Sequence, residues 1–364
     1  MAKLFRSMKF WATAIAALTV AAAFVIVATG CGSSSSGAST NTTSTSASST
    51  PSGTLYIAVT GSDELSAGTG HMGYAVVDIA SKKVTMVDVP GSDAPHGMAF
   101  GPNTNTLPNT NGRVTKDKPS SIYLGNAGNG TVMEIDLATQ KVTKTIQPPA
   151  GAKLAICGMD KFTDGKIYMA SMGDGKLYPL DPATDTIGSP TVGGGTTTTS
   201  ICGVVWTNNG STAYLSNMYD PNDKSVAGYL AKVDWPSGKL VKKITDLTKT
   251  NLQKTSTYQH QIVETPDGKF IYVTDGYDGN IVKVDTSTDQ VVKTVSLRTS
   301  PTGTEEPHTM VISSDGKWGY IDVRHSPTAN ESSVFVYDLQ KDQVVDRITG
   351  ISAPLICGSV LEEN

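Results

Sequence analysis

The sequence predicts an all-β protein, a six-bladed β-propeller, from a repeated segment, a repeated spacing and two complementary chain ends. The segments PHGMAF, ICGMDKF, ICGVVWT, QHQIVET, PHTMVIS and ICGSVLE share one pattern, with His96, Cys157, Cys202, His260, His308 and Cys357 at the same point. A turn such as TPDGK or SSDGK and a tyrosine strand follow. Cys202 to Tyr214, His260 to Tyr272 and His308 to Tyr320 are each 12 residues, and Cys157 to Tyr168 is 11. His96 to Tyr123 is 27, because an Asn-, Thr- and Pro-rich insertion, Gly101 to Pro119, lengthens that turn.

Each tyrosine strand leads to a strand ending in Asp: Asp78, Asp136, Asp181, Asp234, Asp285 and Asp338. A polar turn and a last strand such as KVTKTI or QVVKTV complete the unit. Short alternating strands separated by regular turn signals indicate β architecture. A period of roughly 40–50 residues with four strands per unit indicates a propeller. Closing the units in a circle buries their faces and protects their edges. The C-terminal Leu355 to Glu362 looks like the first strand of a unit, and the stretch from Thr54 looks like a unit lacking that strand. The ends therefore share one blade, giving six; seven would require a further degenerate unit.

Before the propeller, Lys3, Arg6 and Lys9 precede an apolar run from Phe10 to Val27, which reads as a signal segment. Ala28, Thr29, Gly30 and Cys31 resemble a bacterial lipobox, with Ala in place of the commoner Leu at its first position. The resemblance implies removal of residues 1–30, lipidation of Cys31 and a membrane-anchored place in the bacterial cell envelope; an uncleaved membrane anchor and an ordinary signal peptide are the other readings of the same segment. Residues 31–53 are Ser/Thr-rich without apolar periodicity and read as a flexible tether. Residues 54–364 form the propeller domain. The net charge of −4, with no basic cluster, disfavours nucleic acid as a partner.

The stretch FIYVTDGYDGNIVKVDTSTDQVVKTV resembles the YVTN β-propeller repeat, and SIYLGNAGNGTVMEIDLATQKVTKTI matches it more weakly. The resemblance implies a propeller and an exported or cell-surface location. It implies no single activity, since such propellers serve as surface-layer proteins, lactonase-like enzymes and binding proteins.

The chemistry of interest is the ring. Setting Cys31 aside, three cysteines and five histidines remain, and six of these eight fall at the repeated point. The first strand of a propeller blade lines the axial channel, so the six residues form one ring at a channel mouth. Thiolate and imidazole are ligands of soft or borderline metals, with copper favoured over zinc or iron because methionines accompany the ring. Strand alternation would turn Met98, Met159 and Met310 into the channel beneath it. His71 and His325, together with Met72, Met172 and Met218, lie on connections that open at the same mouth. Calcium and magnesium prefer oxygen and do not fit. No nucleotide-binding loop is present.

An odd number of cysteines leaves other readings open. One is a Cys157–Cys202 disulfide with a buried Cys357; another makes all three small apolar residues near the axis. Functionally, the copper ring stands beside a lactonase-like hydrolase and a cell-surface scaffold. The hydrolase would draw on Glu305, Glu306, Arg324 and His308. The scaffold would have a plugged channel and a protein partner at loops such as Gly101 to Pro119.

Overall fold

The computed structural model describes residues 50–364 except 62–69, 192–199, 208, 220–226, 246, 248–258, 277, 301–302 and 325–330. Cys31, the signal segment, most of the tether and His325 lie outside the described residues.

Blade one begins with β1 (Thr54–Thr60), β2 (Gly73–Asp78) and β3 (Lys83–Asp88). Blade two holds β4 (Pro95–Phe100), β6 (Ser121–Asn126), β7 (Val132–Asp136) and β8 (Lys141–Ile146), with the short β5 (Val114–Thr115) in its insertion. Blade three is β9 (Ile156–Lys161), β10 (Ile167–Ser171), β11 (Leu177–Asp181) and β12 (Thr186–Ile187). Blade four is β13 (Ile201–Trp206), β14 (Thr212–Tyr219), β15 (Ala227–Asp234) and β16 (Lys239–Ile244). Blade five is β17 (Gln259–Glu264), β18 (Phe270–Asp275), β19 (Asn280–Asp285) and β20 (Gln290–Ser296). Blade six is β21 (Glu306–Ile312), β22 (Trp318–Arg324), β23 (Ser332–Asp338) and β24 (Gln343–Ile351). The last strand, β25 (Leu355–Glu362), returns to pair antiparallel with β1, so the chain ends close one blade as the sequence predicts.

Six apolar clusters fill the six interfaces between neighbouring blades. Leu55, Ile57 and Val77 meet Val311, Val334 and Val336 at the closure between blades six and one. Tyr168 and Leu177 meet Trp206 and Trp235 between blades three and four. The strand pattern explains this. Alternate residues of an inner strand face opposite neighbours, and both faces are covered, so these strands read as nearly continuous apolar runs.

The repeated aspartates are turn staples. Asp78 accepts from the backbone N–H and hydroxyl of Ser81, Asp136 from those of Thr139, and Asp285 from those of Ser287. These bonds favour the carboxylate and hold all three pKa values below the usual range. The residue closing the same turn has positive φ: Lys82, Gln140, Asp185, Asp289 and Asp342 at 51–58°, and Gly238 in blade four. Asp185, Asp289 and Asp342 also join blades. Each accepts a hydroxyl from the preceding blade: Tyr123 at 3.2 Å, Tyr214 at 2.8 Å and Tyr272 at 3.3 Å. Lysines add to these clamps, as in Lys232 to Asp289 at 2.9 Å and Lys293 to Asp342 at 3.0 Å.

Candidate functional site: the axial channel and its ring

In all six blades the pairing of the innermost strand with its neighbour slips at the repeated His or Cys. Cys157 lies between the pairs Ile156↔Ser171 and Gly158↔Ala170, and Cys202 between Ile201↔Asn217 and Gly203↔Ser216. His308 lies between Pro307↔Val323 and Thr309↔Asp322. The same shift spans His96 and Gly97, His260 and Gln261, and Cys357 and Gly358. The ring is thus a ring of β-bulges, each adding one residue and re-aiming a side chain.

The bulge breaks the alternation on which the methionine expectation rested. Met98, Met159 and Met310 pack into the apolar layers between blades one and two, two and three, and five and six, instead of turning into the channel. His96, Cys157, Cys202, His308 and Cys357 are all buried. For His260 only the backbone, in β17, is described. Cys157 and Cys202 are joined by a disulfide across neighbouring blades, with Cα atoms 4.8 Å apart, and Cys357 is outside that bond. Met218 and Met172 pack on the disulfide, with Met218 Sδ 3.4 Å from Cys202 Sγ. His71 is not gathered into the ring; its Nδ1 meets Asp88 Oδ1 at 2.8 Å on the outer strand of blade one. Among the described residues, no three His, Cys, Asp or Glu side chains are arranged to hold a metal ion.

The residue after each ring member decides what fits at the axis. Four are glycines: Gly97, Gly158, Gly203 and Gly358. A Cβ on Gly158 would lie 2.3 Å from the Cys202 carbonyl oxygen and 2.4 Å from Gln261 Nε2, and one on Gly358 would lie 2.5 Å from Gly97 Cα. The other two, Gln261 and Thr309, fill the space the glycines leave. Gln261 Nε2 donates to the carbonyls of Cys157 at 3.3 Å and Cys202 at 3.0 Å, reaching from blade five to the disulfide. Thr309 donates to Asp322 and accepts from the Gly358 N–H at 3.3 Å.

The insertion completes the channel. Its strand β5 pairs parallel with β25, on the axial side of blade one, through Val114↔Leu361 and Thr115↔Glu362. This places Arg113 in the channel, 4% exposed. Its guanidinium donates from Nε to Asp160 Oδ1 at 2.6 Å, from Nη2 to Gln261 Oε1 at 2.5 Å and from Nη1 to the Met310 carbonyl at 3.3 Å. One arginine therefore ties blades three, five and six. Burial pushes the Asp160 carboxyl up, and the Arg113 charge opposes that shift. Asp322 is pushed up to about 7, first by burial, with Thr309, Ser359 and Arg113 acting against it. Glu264, on β17, is pushed up to about 8 by burial and by Asp267.

Arg113, Asp160, Gln261, Thr309 and Asp322 are channel residues that the repeat pattern does not single out. The signal was a polar residue on an otherwise apolar inner strand, as in ICGMDK, and a single arginine within the insertion, as in NGRVT. Of the carboxylates singled out from the sequence, Glu306 contacts Arg324 Nε, and Glu305 is buried and accepts from the Thr299 backbone N–H and hydroxyl.

No family model matches this chain, and no curated protein matches it. Solved structures do. The chain resembles Kuenenia stuttgartiensis hydrazine synthase at 18% identity and TM-score 0.51, over 80% of this chain and 85% of that one. It resembles a chain of the nidogen/laminin complex at 12% identity and TM-score 0.58, over 85% and 98%. A protein of unknown function from Bacteroides caccae matches at 12% identity and TM-score 0.56, over 86% and 100%. At such identities the likeness is one of fold, and the fold is the six-bladed β-propeller.

Proposed function

We propose that this protein is an exported binding propeller, tethered to the envelope through lipid on Cys31, whose working surface is its loops and not its axial channel. The observation that carries this reading is the occupied channel. Strand β5 and Arg113 fill its axial side, and the Cys157–Cys202 disulfide closes two of the six ring positions to metal. A hydrolase built on the channel would need its acids and its arginine turned to a substrate. Here Arg113 is spent on Asp160 and Gln261, and Arg324 on Glu306.

A second reading rests on one contact, that of Met218 Sδ with Cys202 Sγ, beside Met172. Reduction of the disulfide would leave two thiolates and two thioethers together, a donor set suited to Cu(I). His96, His260, His308 and Cys357 would complete the soft ring expected from the sequence.

One experiment separates the two. The full exported protein is assayed for bound metal by elemental mass spectrometry and for thiols after unfolding, without and with reductant. The binding reading expects no stoichiometric metal and Cys357 as the sole titratable thiol until reductant releases Cys157 and Cys202. Stoichiometric copper, lost in a Cys157→Ser/Cys202→Ser variant, would replace it with the metal reading.

A further inference from the structure

The channel sets two buried acids against one buried base. Asp160 on β9 of blade three and Asp322 on β22 of blade six are fully buried, and Arg113, just before β5, is almost so. Arg113 bonds Asp160 directly and reaches blade six only at the Met310 carbonyl. Asp322 feels the guanidinium only as a charge. Its printed bond is from the Thr309 hydroxyl, and its Oδ1 is buried without a hydrogen-bond partner.

The elements around Asp322 bring it no second cation among the described residues. Thr309 acts on it from β21, Ser359 from β25 and Arg113 from the insertion. Glu306 on β21 is held by Arg324, Asp338 on β23 by Lys341, and Glu362 on β25 accepts from Tyr56. His308 stands at the bulge before Thr309, and Cys357 two residues before Ser359. One guanidinium neutralises one carboxylate. A second carboxylate buried beside the pair would be uncompensated, and such a group takes up a proton instead. The insertion depends on this balance, because it carries the guanidinium. It is seated by three backbone bonds of 2.8 Å: the Leu361 N–H to the Arg113 carbonyl, the Glu363 N–H to the Thr115 carbonyl, and the Lys161 N–H to the Asn111 carbonyl.

We propose that the channel binds one proton, on Asp322, as a lock on the insertion: with the proton bound Arg113 serves Asp160 alone and the insertion stays seated, and loss of the proton loosens the insertion from blades one and three. Burial raises the Asp322 carboxyl to about 7, above an unfolded value of about 4. The lock is therefore full below about pH 4, weakens as pH rises from about 4 to about 7, and is level above that. The external pH then governs how firmly the loop at the channel's far mouth is held.

The test uses the full exported protein. Carboxyl-labelled aspartate NMR follows the titration of Asp322, and residue-resolved hydrogen exchange follows the Leu361, Glu363 and Lys161 amides. Asp322 is expected to titrate near neutral pH. Opening of the three amides, corrected for base catalysis of exchange, is expected to rise at least about tenfold between about pH 5 and about pH 7 and then to level off. Asp322→Asn keeps the shape and removes the charge, and should hold the insertion closed at every pH. Asp160→Asn leaves one acid for one base, so Asp322 should then titrate at least about one pH unit lower. An Asp322 carboxyl ionised at about pH 5 in the parent would overturn the proposal. So would pH-independent opening of the three amides, or an Asp322→Asn variant with the parent's pH profile. An Asp322 midpoint unmoved by Asp160→Asn would reduce the effect to plain burial and overturn the charge balance. None of these readouts depends on metal or on a partner at the loops, so the proposal and the binding reading fail separately.

Discussion

Replacing Arg113 by Met tests whether the plug holds the disc together. Arg113 and Asp160 are almost fully buried, and the guanidinium makes three hydrogen bonds to three blades. Removing one partner of a buried ion pair leaves the other uncompensated, at a cost of roughly 3–5 kcal/mol. The cost should depend on pH. Without Arg113, burial acts unopposed on Asp160 and raises its folded pKa further above the unfolded value. A raised carboxyl contributes stability that is full below the unfolded pKa, about 4, and is lost as pH rises towards the folded pKa. Asp322, which also feels the Arg113 charge, moves the same way. Relative to the parent, Arg113→Met should therefore lose about 1–2 kcal/mol more at about pH 8 than at about pH 5. Adding Asp160→Asn should recover most of the loss, because no charge is then buried alone. Urea unfolding of the four proteins at both pH values measures all of this. A single-variant cost below about 1 kcal/mol, or a cost independent of pH, would refute the claim that Arg113 is the buried counter-charge of the channel.

Three further outcomes follow from the same contacts. The Cys157–Cys202 bond closes a loop of 45 residues, so Cys157→Ser/Cys202→Ser should lose about 4 kcal/mol, seen as a lower urea midpoint that reductant no longer shifts. Asp322→Asn removes a carboxyl pushed up to about 7 and should stabilise the protein by up to roughly 4 kcal/mol at about pH 8, with little effect at about pH 4, in the same unfolding assay. Tyr214→Phe deletes the hydroxyl bound to Asp289 at 2.8 Å and should cost about 1 kcal/mol by thermal unfolding. The clamp's residual acid sensitivity, from an Asp289 carboxyl that Lys232 and Tyr214 hold low against burial, should appear below about pH 4.

The propeller was legible because its repeat is written in spacing. The interval from ring residue to tyrosine fixes strand, turn and strand, and the half-units at Thr54 and Leu355 fix the closure. The ring position was legible for the same reason, but its chemistry was not. A bulge adds one residue without changing which residue types stand there, so period-2 reasoning put Met98, Met159 and Met310 on the wrong face of their strands. Which cysteines pair depends on blade adjacency at the ring, which spacing left as one of several options. Arg113 was illegible because an insertion has no repeat to register it. Its place follows from β5 pairing with β25, residues nearly 250 apart in the chain.

The disulfide and the plug are parts of one assembly. Gln261 donates to the carbonyls of both disulfide cysteines and accepts from Arg113, which in turn holds Asp160. One amide side chain thus connects the ring to the channel filling, and it fits only because Gly158 has no Cβ. Four of the six post-ring positions are glycine and two carry polar side chains, which is what a narrow axis requires if it is to hold a hydrogen-bonded network without overpacking. An axis filled in this way ties blades three, four, five and six to one another and to the insertion. The outer ends of the insertion are then free to shape a surface on a rigid base. The energy of the channel residues goes into fixing the disc, and the proposed binding function accordingly falls to the loops at its faces.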